Sequence, residues 1–311
     1  MPRWQADLAL GIIALIWGST FVLVKNALDT VGPLTFVGLR FALAAAFLTL
    51  FFSRRARGLA RADWQVGALL GILLALGYVF QTIGLQTTTS AKAGFITGMS
   101  VVIVPIMATL LLRRPPGRWA VAGIAVATIG LALLTLNADL SVQSGDLWVL
   151  ACAVAFALHI VVIARYSQRH DPVRLTLAQL VIVALFATVA AFVFETPRLN
   201  LPVKTWAALA FMGVVATALV FSVQVYVQRF TTPTHTALLF SLEPVFAALF
   251  GWWWAGEQLG ARALLGCGLI LLGMIVAELG DGAEPQPQPV APLVGEPVLV
   301  LSAGLKDDDR R

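Results

Sequence analysis

Between residues 5 and 280 the chain repeats one pattern: about 20 mostly apolar residues, the length that crosses a ~30 Å hydrocarbon layer as a helix, then a short polar joint. Ten such stretches can be drawn, at 6–27, 33–52, 64–86, 92–112, 118–136, 146–166, 173–195, 205–228, 234–255 and 260–279. In lipid every backbone amide must be satisfied within the segment, so each stretch is expected to be a helix. With 59% apolar and 12% charged residues, too few ionisable groups exist to cover a water-facing surface. The fold class expected is an all-α membrane protein.

The net charge of +5 would suit a nucleic-acid partner in a soluble chain, but here placement carries the information. With both termini in the cytoplasm, Arg3, Arg54, Arg55, Arg57, Arg61, Arg113, Arg114, Arg118, Arg165, Arg169, Arg174 and Arg229 share the inner side, and only Lys25, Lys92, Arg198, Lys204 and Arg262 the outer. The positive-inside rule therefore places the N- and C-termini in the cytoplasm and makes the arginines an orientation device, with no nucleic acid implied. The first apolar run is read as an uncleaved span, since no small-x-small cleavage site follows it. Cys152 and Cys267 fall inside spans, as packing residues. Residues 281–311, rich in Pro and charge, are expected to form a disordered cytoplasmic tail.

A shift of about 139 to 143 residues lays the second half on the first: Pro33 on Pro172, Arg40 on Gln179, Gly71 on Gly213, Gln81 on Gln224, Gly117 on Gly260, Gly123 on Gly266, Gly130 on Gly273. Five spans per copy, an odd number, would set residues 1–137 and 138–280 upside down relative to one another. Such an inverted five-plus-five repeat lets two halves exchange which side is open around a midplane site, the logic of a transporter. Gly67, Gly71 and Ala75, Gly94 and Gly98, Gly123, Ala127 and Gly130, and Gly266, Gly268 and Gly273 read as close-packing faces.

Polar groups at membrane depth are costly unless they face protein or water, so each is a functional candidate, with helix–helix bonding as the bland alternative. Trp17, Ser19 and Thr20 surround Gly18 on the first span. Tyr78, Gln81, Thr82 and Gln86 share a face of the third. Thr217, Gln224 and Gln228 form a stripe on the eighth, with Ser222 and Tyr226 a column over. Glu243, directly before Pro244, would be desolvated mid-span and able to hold a proton or a substrate ammonium. Arg40 is read as structural, a buried cation needing an anionic or carbonyl partner. His159 has no second ligand at metal spacing and is read as a cavity-edge residue. Lys25 and Glu278 can snorkel to the interface. HExxH, GxSxG, phosphate-loop and paired intramembrane carboxylate motifs are absent, so neither an enzyme nor a cofactor is implied.

Ten spans, the duplication, WGSTFVLVK in the first span and PVFAALFGWWWAGEQLG before a Gly-rich last span together resemble the EamA group of the drug/metabolite transporter superfamily. Within it, SLEP is similar to the bacterial YddG-type amino-acid exporters. The group carries a proline in its fourth and ninth spans; here Pro244 has Val101 as its counterpart, with Pro105 a turn later. The resemblance implies a basket of ten helices around a central cavity in a bacterial inner membrane, functional as a monomer. It implies alternating-access export of neutral amino acids such as Phe, Trp, Tyr, Met and Thr, with multidrug or other metabolite export as the alternative and protons as a candidate coupling ion. The expected lining is Trp17, Tyr78, Phe95, Met99 and Phe240 as an apolar wall, with Thr20, Gln81, Thr82, His159, Gln224, Gln228 and Glu243 as polar contacts.

Overall fold

The computed structural model describes residues 1–88, 90–135, 143–255 and 260–280, and among them every regular element is a helix. In order these are α1 (Arg3–Leu28), α2 (Pro33–Phe51), α3 (Ser53–Ala56), α4 (Arg61–Gly84), α5 (Ser90–Gly98), α6 (Ser100–Leu112), α7 (Arg118–Thr135), α8 (Ser144–Tyr166), α9 (Pro172–Phe194), α10 (Val203–Gly213), α11 (Val220–Val227), α12 (Pro233–Phe240), α13 (Glu243–Ala255) and α14 (Ala261–Gly280). The tail from 281, part of the joint between the halves and the side chains of Lys25 and Glu278 lie outside the described residues. Six helical stretches have the length and composition to cross a bilayer: 33–51, 61–84, 93–112, 144–169, 172–194 and 203–227. Large apolar side chains stand on the outside, with Leu50 75%, Phe192 72% and Phe194 79% exposed, a surface that lipid solvates and water does not. This is a multi-pass membrane protein.

Three stretches expected as single helices are interrupted. The fourth breaks at Met99, between α5 and α6, and the ninth at Ser241–Leu242, between α12 and α13. The second break is explained by Pro244, which lacks an N–H and so sits comfortably in the first turn of a new helix but not inside a continuing one. The eighth stretch keeps its direction but widens into a π-helix at Val214–Leu219, between α10 and α11. A π-segment adds a residue to the turn and releases backbone carbonyls from the regular ladder.

Helix starts are cut by proline and an oxygen acceptor. Pro172 opens α9, with the Asp171 carboxylate accepting from the amides of Val173 (3.0 Å) and Arg174 (3.1 Å). Pro33 opens α2, whose N-cap Gly32 has no side chain to offer. Glu195, just past the end of α9, caps α2 instead, accepting from the Leu34 amide at 2.7 Å, the Thr35 amide at 3.0 Å and the Thr35 hydroxyl at 2.7 Å. Together α2 and α9 frame the largest apolar core, around Phe36, Phe41, Leu48, Leu180 and Phe221.

Small residues set the closest crossings. A Cβ on Gly123 would lie 2.4 Å from the Gly273 carbonyl and one on Gly130 2.6 Å from that of Gly266, so α7 and α14 touch backbone to backbone. Gly67 and Gly71 of α4 make room for α9, Gly67 for the Ala178 side chain and Gly71 for Ile182 and the Gln179 carbonyl. Gly94 and Gly268 have nothing within 4 Å and do not belong to the packing faces assigned to them from spacing. At the helix ends, His170 Nδ1 meets Asp63 at 2.7 Å and His235 Nε2 meets Asp7 at 2.8 Å. Arg229 donates to the carbonyls of Ser167 (2.6 Å) and His170, and its partial burial pushes the guanidinium below its ordinary pKa.

Candidate functional site

Two of the three interruptions, the π-segment and the break between α12 and α13, meet at one region. The carbonyl of Ala216, inside the π-segment, accepts the indole N–H of Trp17 at 3.0 Å and Nη2 of Arg40 at 3.3 Å. Arg40 Nε donates to the Thr217 hydroxyl at 2.7 Å, and Nη2 also reaches the Tyr78 hydroxyl at 3.5 Å. The guanidinium carbon stands 5.0 Å from the Tyr78 ring centroid, a cation–π distance. Arg40 is 4% exposed, so these bonds are made in a medium where a cation needs them.

Rings enclose this cluster. Phe221 is its hub, with centroids 5.5 Å from Trp17, 6.4 Å from Phe41, 6.4 Å from Tyr78 and 5.9 Å from His159. Phe240 meets Trp17 edge-on at 5.2 Å, and Phe156 meets Tyr78 at 5.3 Å. Glu243, at the break between α12 and α13, acts electrostatically on Tyr78 and Cys152 and is itself acted on by Arg40. Gly18 explains how α1 reaches this point: a Cβ there would come within 2.7 Å of the Glu243 carbonyl and of Phe246 Cβ. Trp17, Tyr78 and Glu243 are half-buried rather than sealed.

Of the expected lining, Trp17, Tyr78, Phe240 and Glu243 gather here. The others are occupied elsewhere. The Thr20 hydroxyl donates to the Trp17 carbonyl at 2.8 Å and that of Thr82 to the Tyr78 carbonyl at 2.5 Å, and both residues are buried. Gln224 donates to Gln228 at 3.2 Å, and Gln228 to the Ile160 carbonyl at 3.3 Å, tying α11 to α8. His159 pairs with Gln179 at 2.8 Å behind Phe221. Gln81 donates to Thr97 at 3.3 Å. Phe95 packs with Leu131, Val245 and Ile270, and Met99 sits at the helix break. Gln86 and Tyr226 are exposed. Sequence reasoning missed Phe221, one of 18 phenylalanines with no distinguishing spacing, and gave Arg40 only a structural role.

The chain resembles known proteins along most of its length. An uncharacterized transporter of Archaeoglobus fulgidus is 36% identical over 280 residues, covering 90% of this chain and 87% of that protein. The uncharacterized transporter YoaV of Bacillus subtilis is 27% identical, covering 86% and 95%. A solved crystal structure superposes with a TM-score of 0.77 at 20% identity, covering 89% of this chain and 98% of that one, and so shares the fold. The model of the EamA-like transporter family matches twice, over residues 4–136 and 143–278. A helical multi-pass chain whose two halves each match this model belongs to the EamA-like transporter family.

Proposed function

We propose that this transporter exports small metabolites, aromatic and other neutral amino acids such as Phe, Trp, Tyr, Met and Thr, by alternating access, through ten spans arranged as two inverted five-helix halves, residues 1–137 and 138–280. The observation that carries the reading is the meeting of a broken and a π-widened helix on a cluster of rings and charges, half-buried Trp17, Tyr78 and Glu243 with buried Phe240 and Arg40. Interrupted helices beside polar groups are how transporters build midplane sites.

Reciprocal contacts support the inverted halves. Gly71 faces the carbonyl of Gln179, its Cβ position 2.8 Å away, and Gly213 faces the carbonyl of Arg40 at 3.0 Å. Shifting the first pair by the repeat produces the second. The Gly123–Gly273 and Gly130–Gly266 contacts exchange in the same way. Both termini are placed in the cytoplasm by the arginine distribution, the membrane being the bacterial inner membrane. A single chain already holds both halves, so the unit of function is the monomer, and Glu243 is the candidate for proton coupling.

Counterflow tests this reading. Proteoliposomes loaded with unlabelled phenylalanine, methionine or threonine should accumulate the labelled compound saturably. Absence of exchange for all three in folded protein would overturn it. The ring-rich cluster also suits drugs or other metabolites, and competition by hydrophobic drugs without exchange of any amino acid would favour that second reading.

A further inference from the structure

We propose that Arg40 and Glu243 are the two poles of a ligand site that selects zwitterions, with the guanidinium taking a carboxylate and the Glu243 carboxylate taking an ammonium. The inference deepens the amino-acid reading above and rests on it for the choice of probes.

Three observations carry it. First, Arg40 uses Nε and Nη2 on Thr217, Ala216 and Tyr78, while Nη1 has no hydrogen-bond partner among the described residues and is not among the atoms sealed from solvent. Glu243 likewise keeps an unbonded, unsealed carboxylate. Secondly, the two feel each other's charge but stay beyond the 4.0 Å of an ion pair. Opposite charges in a low-dielectric interior attract strongly, and α1 ties these two to one place, Trp17 sharing the Ala216 carbonyl with Arg40 and Gly18 lying against the Glu243 carbonyl, so a ligand with the complementary pair can bridge them. Thirdly, neighbouring polar groups are withheld from a zwitterion: the hydroxyls of Thr20 and Thr82 bond their own helices, Gln228 is held by Gln224 and the Ile160 carbonyl, and the unbonded Oε1 of Gln224 is sealed from solvent.

The internal alignment sharpens the point. Arg40 occupies the position of Gln179, and Glu243 that of Ser100. Gln179 is a neutral amide engaged with His159. A charge needed merely for packing would serve both halves alike, whereas here each half contributes one charge, of opposite sign. This asymmetry gives a bound dipole one orientation, carboxylate toward α2 and ammonium toward α13, with the apolar side chain left to the rings of Trp17, Phe221 and Phe240.

Ligand binding to the purified full-length transporter tests this directly, read as the shift in thermal unfolding and as competition against labelled phenylalanine. In the wild type, phenylalaninamide, which lacks the carboxylate, and 3-phenylpropionate, which lacks the ammonium, should each bind about tenfold or more weakly than phenylalanine, the loss expected for one charged hydrogen-bonded contact. Arg40→Gln should bring phenylalanine and its amide to similar affinity while keeping the preference over 3-phenylpropionate. Glu243→Gln should do the converse. If Arg40→Gln does not fold, Arg40→Lys, which retains the charge without the planar fork, should narrow the acid-to-amide ratio. Equal binding of all three compounds to the wild type, a uniform loss for all of them in either variant, or no binding of phenylalanine, methionine or threonine would overturn the proposal. Binding with the expected selectivity but without counterflow would sustain this site and defeat the transport reading. Counterflow without that selectivity would do the reverse.

Discussion

The indole N–H of Trp17 bonds the carbonyl of Ala216 over 3.0 Å, joining residues 199 positions apart in the two halves of the chain. That carbonyl is available because the helix around it is a π-segment, and it is shared with Arg40. Trp17→Phe keeps the rings against Phe221 and Phe240 but removes the donor. It should lower stability by about 1 kcal/mol, the net value of one hydrogen bond, and Trp17→Ala by roughly 3 kcal/mol through lost packing. Thermal unfolding in detergent measures both. Equal stability of wild type and Trp17→Phe would show that the bond contributes nothing.

Two glycines on α1 should respond oppositely to alanine. At Gly18 the added methyl meets the Glu243 carbonyl and Phe246 Cβ at 2.7 Å, and α1 must move off α13. Overpacking of this kind costs about 1–3 kcal/mol, and transport should fall with it. At Gly11 nothing lies within 4 Å, so alanine should be neutral or stabilise by up to ~1 kcal/mol through helix propensity. Parallel unfolding curves of the two variants decide this.

Capping of α2 by Glu195 predicts a rescue. Glu195→Ala should destabilise the protein by roughly 1–2 kcal/mol, as loss of an N-cap does. In that background Gly32→Asp should restore most of the loss, since it gives α2 the self-cap that Asp171 provides for α9. In the wild type the same Gly32→Asp should be harmful, because its Cβ would stand 2.4 Å from the Glu195 carboxylate oxygen. Additive losses in the double variant would refute the account.

Removing the hydroxyls of Thr20 and Thr82 should leave exchange and substrate affinity at wild-type level. Both hydroxyls bond their own helix backbone, and valine preserves the shape of each buried side chain. A change in apparent affinity for the transported compound in Thr20→Val or Thr82→Val would place these groups back on the substrate.

Helices were legible because a bilayer leaves the backbone one economical choice, so apolar length alone marks them. The pairing of Gly71 with Gln179 and of Gly213 with Arg40 was half legible: spacing exposed the repeat, but not that its members touch across halves. The interior of the site was harder to read. A 3.6-residue period assumes an unbroken helix: α4 ends at Gly84, so Gln86 lies beyond the face drawn through Tyr78 and Gln81, and the π-segment at Val214–Leu219 shifts the phase of the eighth stretch between Thr217 and Gln224. Arg40 was visible as a costly buried charge, yet its meaning depends on a carbonyl freed more than 170 residues away and on a carboxylate that stops short of pairing with it.

Glu195 also bears on how the chain is made. The amides it caps at Leu34 and Thr35 leave the ribosome some 160 residues before it does. At ~5–20 residues per second, α2 waits about 10–30 s in the membrane with its first turn unsatisfied. The first half therefore finishes folding only when the second arrives, and biogenesis of the two halves is a single event rather than two successive ones.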